Sequence, residues 1–222
     1  MISSGVSRQN RSARVSNMLD ETGTLDDLIA NHEPGYALDR RFYTDPDIYA
    51  LEIDKVVTRN WILVGHQSEL PEPGDFKVFN VANESAIIVR GSDGELKAFA
   101  NVCRHRGSLV CLEPAGNTTK FSCPYHGWMY DIDGDLTAAR SMVGEFDKSD
   151  YSLNKVSLEV IHGLVLICFS DNPPGVESAR RDLAEPMAIF DVENLKVAAH
   201  KRYDIDANWK LAIENYQECY HC

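Results

Sequence analysis

What the 222-residue sequence lacks narrows it first. No stretch approaches the ~18–20 consecutive apolar residues of a membrane span. The longest apolar run, Leu164 to Phe169, has only the length of a strand. Basic residues are outnumbered, with 22 Lys and Arg against 34 Asp and Glu and a net charge of −12. These two shortages argue against a membrane and against a nucleic acid as partner. Six cysteines are too few for a disulfide scaffold in a chain of this length, so the expectation for those without another role is reduced thiols in a cytoplasm. Residues 1–17 contain no acid but do contain Arg8, Arg11, Arg14 and five serines. That stretch reads either as a solvated tail or as an organelle transit segment, which shares the Arg- and Ser-rich, acid-poor composition. The whole chain, 44% hydrophobic and 25% charged, has ordinary globular composition.

What is present centres on Cys103-Arg104-His105 and, after seventeen intervening residues, Cys123-Pro124-Tyr125-His126. Each short segment supplies one thiolate and one imidazole. A structural zinc finger instead tends to group its ligands as Cys with Cys and His with His. Mixed pairs suit a [2Fe–2S] cluster of the Rieske kind, in which two Cys hold one iron and two His the other. Gly107 and Gly127 follow the ligands closely, where a tight loop needs backbone freedom and close approach of N–H groups to sulfur. A Cys/His zinc site and simple burial of the thiols are the competing readings, and the ligand order and spacing fit them less well. Cys103-Arg104-His105-Arg106-Gly107 and Cys123-Pro124-Tyr125-His126-Gly127-Trp128 resemble the two cluster-binding loops of Rieske proteins.

The rest of the chain supplies a frame for those loops. Leu19 to Ile29 reads as a helix ended by His32 to Gly35, and Asp45-Pro46-Asp47 as the start of another with apolar residues Ile48, Leu51, Ile53, Val56 and Val57. Strands are expected at Trp61 to Val64, Phe76 to Val81, Ala86 to Val89, Leu96 to Ala100, Lys120 to Ser122, Trp128 to Tyr130, Leu158 to Val160 and Leu164 to Phe169. Asp93-Gly94, Asp133-Gly134 and His162-Gly163 give turns between them. Two neighbouring hairpins would then hold the cluster between their tips. His66 reads as a hydrogen-bonded loop histidine, His162 as a turn residue and Cys111 as a packing residue between the loops. After the breaker Asn172-Pro173-Pro174-Gly175, Ser178 to Phe190 has helical character. Val197 to Tyr203 reads as a strand carrying a half-exposed His200.

The last fifteen residues, Asn208 to Cys222, repeat Trp209, Ala212, Ile213, Tyr216, Cys219 and Tyr220 at helical spacing. Glu214, Glu218 and His221 would lie on one side at i, i+4 and i+7. The residues alone allow an ordinary amphipathic helix, or a polar face able to share a metal or a hydrogen-bond network.

With the two loops upstream, this Asn-Trp-Lys…Glu-Asn-x-x-Glu-x-Tyr-His segment resembles the α subunit of a Rieske non-haem iron oxygenase, from about Phe42 onward. Several consequences follow from the resemblance and not from spacing. His221 stands at the first histidine of a 2-His-1-carboxylate triad holding a mononuclear Fe(II) that activates O₂. Asn215 matches a residue close to that iron. Glu218 matches the bridging carboxylate, whose partner in the adjacent subunit would be the cluster histidine His126. Glu at the bridge, in place of the Asp of ring-hydroxylating dioxygenases, is similar to the monooxygenases of quaternary amines such as carnitine or glycine betaine.

The resemblance implies an α+β fold with three parts: residues 1–41 as a tail and short helix, 42–172 as an antiparallel β Rieske domain with its leading helix, and 173–222 as the start of a truncated α+β catalytic domain. Electrons would come from a flavin- and ferredoxin-type reductase and pass through the cluster, His126 and Glu218 of adjacent subunits in a homotrimer to the iron at His221. A small-molecule substrate would be hydroxylated or oxidatively demethylated with O₂. In the family a second histidine follows about five residues after His221, so this 222-residue chain is expected to carry the cluster without oxygenating anything by itself. Respiratory Rieske proteins tie their loops with a disulfide, and Ser108 and Tyr125 occupy those positions here. The alternative from another class is an autonomous Rieske electron carrier, which would have no use for the Asn208 to His221 segment. A structural zinc module is a weaker third.

Overall fold

The computed structural model describes residues 23–140, 142 and 146–218. They form two compact units, one from Val56 to Lys201 and one made of the helices up to Lys55 with the chain from Arg202 onward. The Arg- and Ser-rich segment 1–17, the first residues of the helix expected from Leu19, and Cys219 to Cys222, including His221, lie outside the described residues.

In the larger unit the described strands form three antiparallel sheets. Strands β1 (Ile62–His66), β9 (Ser157–Ile161) and β10 (Leu164–Cys168) make the first, in the order β1-β10-β9. Strands β2 (Asp75–Val81), β3 (Glu84–Arg90), β4 (Leu96–Ala100) and β5 (Ala115–Asn117) make the second, in the order β4-β3-β2-β5. Strands β6 (Lys120–Ser122), β7 (Met129–Asp131) and β8 (Leu136–Ala138) make the third, in that order. The antiparallel β architecture expected from alternating short apolar runs is therefore present. The three-residue strand β5, with no apolar pattern of its own, was not anticipated.

Strand β3 explains where the core sits. Ala86, Ile87, Ile88 and Val89 are all fully buried. A strand points successive side chains to opposite faces, so a continuous apolar run needs cover on both. Ile87 and Val89 join Phe76, Phe99, Phe121, Trp128 and Tyr130 on one side. Ala86 and Ile88 join Val64, Val165 and Ile167 on the other. Each buried isoleucine contributes roughly 1.5–3 kcal/mol of transfer free energy. The turns follow their chemistry: Gly94 and Gly134 adopt φ of 84° and 89°, and His162 and Gly163 adopt 49° and 84°. Two successive positive φ values make the type I′ hairpin turn that joins Ile161 to Leu164.

Several expectations need correction. Val197 to Tyr203 forms no strand; the segment pairs with no described strand, and His200 is largely exposed, meeting Glu69 Oε1 through Nε2 at 3.0 Å. His66 is not in a loop but ends β1, buried, with Nε2 3.0 Å from the Val192 carbonyl and Nδ1 accepting from Ser68 N at 3.2 Å. The expected helix from Ser178 to Phe190 divides at Leu183 into α4 (Glu177–Asp182) and α5 (Ala184–Ile189). Pro186 offers no N–H to the carbonyl four residues back, so the hydrogen-bond ladder cannot run through.

The smaller unit contains α1 (Leu25–Ala30), α2 (Arg41–Thr44), α3 (Pro46–Lys55) and α6 (Trp209–Gln217). Thr24 and Asp27 close a capping box that starts α1 at Leu25. Asp45 accepts from Asp47 N at 2.8 Å and Ile48 N at 3.3 Å, with Pro46 in the first turn of α3. Asn208 caps α6 by accepting from Lys210 N at 3.1 Å. Glu52 of α3 receives the Lys210 ammonium at 2.6 and 2.7 Å and the Trp209 indole N–H at 3.2 Å. Tyr43 of α2 donates its hydroxyl to Glu214 at 2.7 Å. The helix expected to run through His221 ends at Gln217, with Glu218 extended at φ −71° and ψ 122°. The i, i+4, i+7 face therefore stops before its second member.

A candidate mixed-ligand metal centre

The two Cys/His segments fold into the same turn twice. In the first, Cys103 N donates to Ser108 O at 2.8 Å, and Gly107 N donates to Cys103 O at 2.9 Å. In the second, Cys123 N donates to Trp128 O at 2.8 Å, and Gly127 N to Cys123 O at 3.0 Å. Gly107 and Gly127 take φ of 74° and 68°, a region that costs an L-residue roughly 1–2 kcal/mol. The glycine spacing seen in the sequence thus has its reason: each turn reverses four residues after its cysteine. The loops do not both cap hairpins as expected. The second is the tip of the β6–β7 hairpin, whereas the first crosses from β4 to β5, which lie at opposite edges of one sheet.

The side chains gather in two kinds. Cys103 and Cys123 are buried and near enough for their thiols to interact. His105 and His126 have ring centroids 4.7 Å apart at 70°. His105 stacks on Trp128, 4.8 Å apart and 10° from parallel, which fixes its plane from behind. His126 is exposed, with the Tyr125 ring 3.8 Å from it. Tyr130, buried on β7, brings its hydroxyl 3.4 Å from Cys103 Sγ and accepts from Arg104 N at 3.1 Å. Tyr130 was missed as a site residue. Its signal was its position two residues after Trp128 on the same inward face of a strand leaving the loop.

This donor set fits a mixed-ligand cluster. His105 Nδ1 is shut off from solvent and has no hydrogen-bond partner, a cost that coordination would remove. Burial pushes the Cys103 thiol above its ordinary pKa, so a nearby cation is needed to keep it a thiolate. Burial, then the charges of His126 and Arg106, pull His105 down and favour the neutral imidazole that binds metal. Among the described residues no three His, Cys, Asp or Glu converge on one point. Two thiols and two imidazoles presented as separate pairs match a centre in which each iron takes one kind. Cys111 is buried with its Sγ against the Glu113 carbonyl at 3.5 Å, as a packing residue. Asn215 is exposed on α6 and Glu218 follows its last turn, both in the smaller unit.

Comparison with known proteins converges on these features. Residues 60–155 match the Rieske [2Fe-2S] domain, and residues 192–222 match the ring hydroxylating alpha subunit (catalytic domain). The chain is 34% identical over 197 residues to the glycine betaine monooxygenase oxygenase subunit of Pseudomonas aeruginosa, covering 88% of this chain and 46% of that one. It is 35% identical over 212 residues to the carnitine monooxygenase oxygenase subunit of Escherichia coli K12, covering 94% and 57%. The crystal structure of the quaternary ammonium Rieske monooxygenase CntA with an inhibitor superposes with a TM-score of 0.78 at 36% identity, covering 89% of this chain and 56% of that one. Naphthalene 1,2-dioxygenase from Rhodococcus sp. gives 0.77 at 30% identity, covering 91% and 48%. The chain spans about half the length of the relatives it matches. With its cluster loops matched by one model and its C-terminal helix by the other, the chain carries a Rieske [2Fe-2S] domain followed by a segment similar to the catalytic domain of ring hydroxylating alpha subunits.

Proposed function

We propose that Cys103, His105, Cys123 and His126 hold the [2Fe–2S] cluster and that the chain is the electron-carrying portion of an oxygenase acting on a quaternary amine. The observation that carries the ligand assignment is the pair of matched turns, which bury two thiols together and leave His105 Nδ1 without a partner. When bound, such a cluster supplies one-electron transfer at a potential raised by its histidine ligands. Cys103 and Cys123 would anchor the inner side, where burial excludes water. His105 and His126 would hold the outer side, and the exposed ring of His126 offers a nitrogen to a partner group. The Trp128 ring and the Tyr130 hydroxyl keep the first loop's ligands in place.

The match of residues 192–222 to the catalytic domain favours the oxygenase over an autonomous carrier. In this reading His221 is the first iron ligand, Asn215 lies close to that iron, and Glu218 accepts from His126 of the adjacent subunit. A reductase of flavin and ferredoxin type and a homotrimer complete it, with residue 172 dividing cluster domain from catalytic segment. The substrate class, hydroxylated or demethylated with O₂, rests on the glycine betaine and carnitine relatives. No described helix is long and apolar enough to cross a membrane. Cys111 and Cys168, the described cysteines outside the ligand set, form no disulfide, and a reducing cytoplasm is the compartment that suits such thiols.

The test is anaerobic reconstitution with iron and sulfide. About two irons per chain, a red-brown colour and a reduced-state EPR signal of nitrogen-ligated type support the assignment. His105→Cys should keep colour while losing that signal. A colourless protein that takes up zinc instead would overturn it.

A further inference from the structure

Asn101, two residues before the first ligand, is 1% exposed, and every polar atom of its side chain is used. Its Oδ1 accepts from Val110 N at 3.0 Å and Cys111 N at 2.8 Å. Its Nδ2 donates to the Cys111 carbonyl at 2.8 Å and to Ser85 Oγ at 3.2 Å. The orientation of the carboxamide is fixed by chemistry, since only the oxygen can face two N–H groups. Its own backbone N–H donates to Ser85 O at 2.9 Å.

The reason for such a group lies in the topology. The second loop is closed by a ladder, with Ser122 opposite Met129 and Phe121 opposite Tyr130. The first loop has no such ladder, because the strands on either side of it, β4 and β5, occupy opposite edges of their sheet. The loop leaves β4 at Asn101 and must return to the same place at Val110 and Cys111 without a partner strand. One side-chain amide supplies both the acceptor and the donor that a strand rung would supply.

We propose that Asn101 is the positioning residue of the first cluster loop: its carboxamide replaces the missing rung and holds Cys103 and His105 in register with Cys123 and His126. The inference rests on the assignment of those four residues as ligands. The Asn101 side chain hydrogen-bonds to none of them, so its effect reaches the cluster through the loop. Groups that fix metal ligands from behind typically change metal retention by about 10- to 100-fold when removed.

The test compares Asn101→Asp and Asn101→Ala with Ile167→Ala, which opens the core beneath a different sheet, in reconstituted protein. The Asp variant keeps the shape but turns two donors into acceptors facing the Cys111 carbonyl and Ser85. Iron loss to a chelator should accelerate at least about tenfold in the Asn101 variants, with a changed EPR line shape. Ile167→Ala should lose iron at the wild-type rate despite a lower Tm. Iron loss that merely tracks Tm across the three variants would overturn the proposal. Amide exchange in the unsubstituted protein gives a second measurement if the variants fail to fold. The Val110 and Cys111 amides should exchange as slowly as those of β3, and exchange at loop rates would overturn the proposal. Wild-type protein that binds no cluster would sink the ligand assignment itself, whereas a wild-type cluster with indifferent Asn101 variants would sink only this inference.

Discussion

The Tyr130 hydroxyl stands 3.4 Å from the Cys103 sulfur while its oxygen accepts the Arg104 N–H at 3.1 Å. A metal-bound Cys103 thiolate has no proton to give, so in the loaded protein the Tyr130 hydroxyl is the donor to the sulfur. Burial, reinforced by the Cys103 thiol, pushes the phenol well above its ordinary pKa, so it stays a donor across the accessible pH range.

A hydrogen bond to a cluster sulfur stabilises the more negative, reduced form. Tyr130→Phe should therefore lower the reduction potential. A net hydrogen bond of about 0.5–1.5 kcal/mol corresponds to roughly 20–65 mV for one electron. Protein-film voltammetry on the two reconstituted proteins measures it, and an unchanged or raised potential would contradict the donor role.

Gly107 and Gly127 differ from Gly134 in what a methyl group would meet. A Cβ at Gly107 meets nothing within 4 Å, and one at Gly127 only Arg140 Cδ at 4.0 Å. One at Gly134 would lie 2.4 Å from the Phe99 ring. Ala at either loop position should cost only the backbone term of about 1–2 kcal/mol. Gly134→Ala should cost clearly more, because Phe99 is buried and cannot withdraw. Urea unfolding of the three variants tests the order; equal losses would mean that contact with Phe99 is relieved by movement.

Glu52 carries both the Lys210 ammonium and the Trp209 N–H, and the pair's side chains are only 15% and 12% exposed. Glu52→Ala leaves a half-buried cation and an indole donor unpartnered, and should cost roughly 2–4 kcal/mol. The double variant with Lys210→Ala should recover part of that loss, giving a coupling above ~0.5 kcal/mol in a double-mutant cycle. Additive losses would show that the ion pair contributes little.

The Asp133 carboxyl is held below its usual pKa by hydrogen bonds from Lys97 and then Ser92. A depressed folded-state pKa contributes stability that is present above the unfolded value, about 3.9, and is lost as pH falls through the folded value. The same contact raises Lys97, chiefly through the Asp133 hydrogen bond. That contribution is present below about pH 10.4 and lost as pH rises through the folded value. Lys97→Met should flatten both limbs of a Tm-against-pH curve. A wild-type acid limb in the variant would assign it to other carboxylates.

Much of this was legible because it is local. Two Cys/His pairs with a glycine four residues after each cysteine specify a repeated turn, and alternating runs bounded by Asp-Gly and His-Gly specify hairpins. The Glu52–Lys210 contact, 158 residues apart in the chain, leaves no trace in either segment's pattern. The apolar residues of Val197 to Tyr203 imitate a strand, but a strand exists only with a partner, and periodicity says nothing about partners. Helical spacing likewise continued past Gln217, although the backbone turns extended at Glu218. Asn101 was invisible for a related reason: a buried asparagine and a surface asparagine are the same letter, and only the sheet order shows what it must replace.

The unequal closure of the two loops also bears on folding. The Cys123 loop belongs to a hairpin whose ladder forms between residues fewer than a dozen apart, an event of about 1–10 μs. The Cys103 loop is anchored through Asn101 to Ser85 of β3, and the strands that flank it are linked only through β2 and β3, so its closure draws on contacts of longer sequence range. One half of the ligand set therefore rests on contacts local in the chain, and the other half on contacts the chain must close over a longer span.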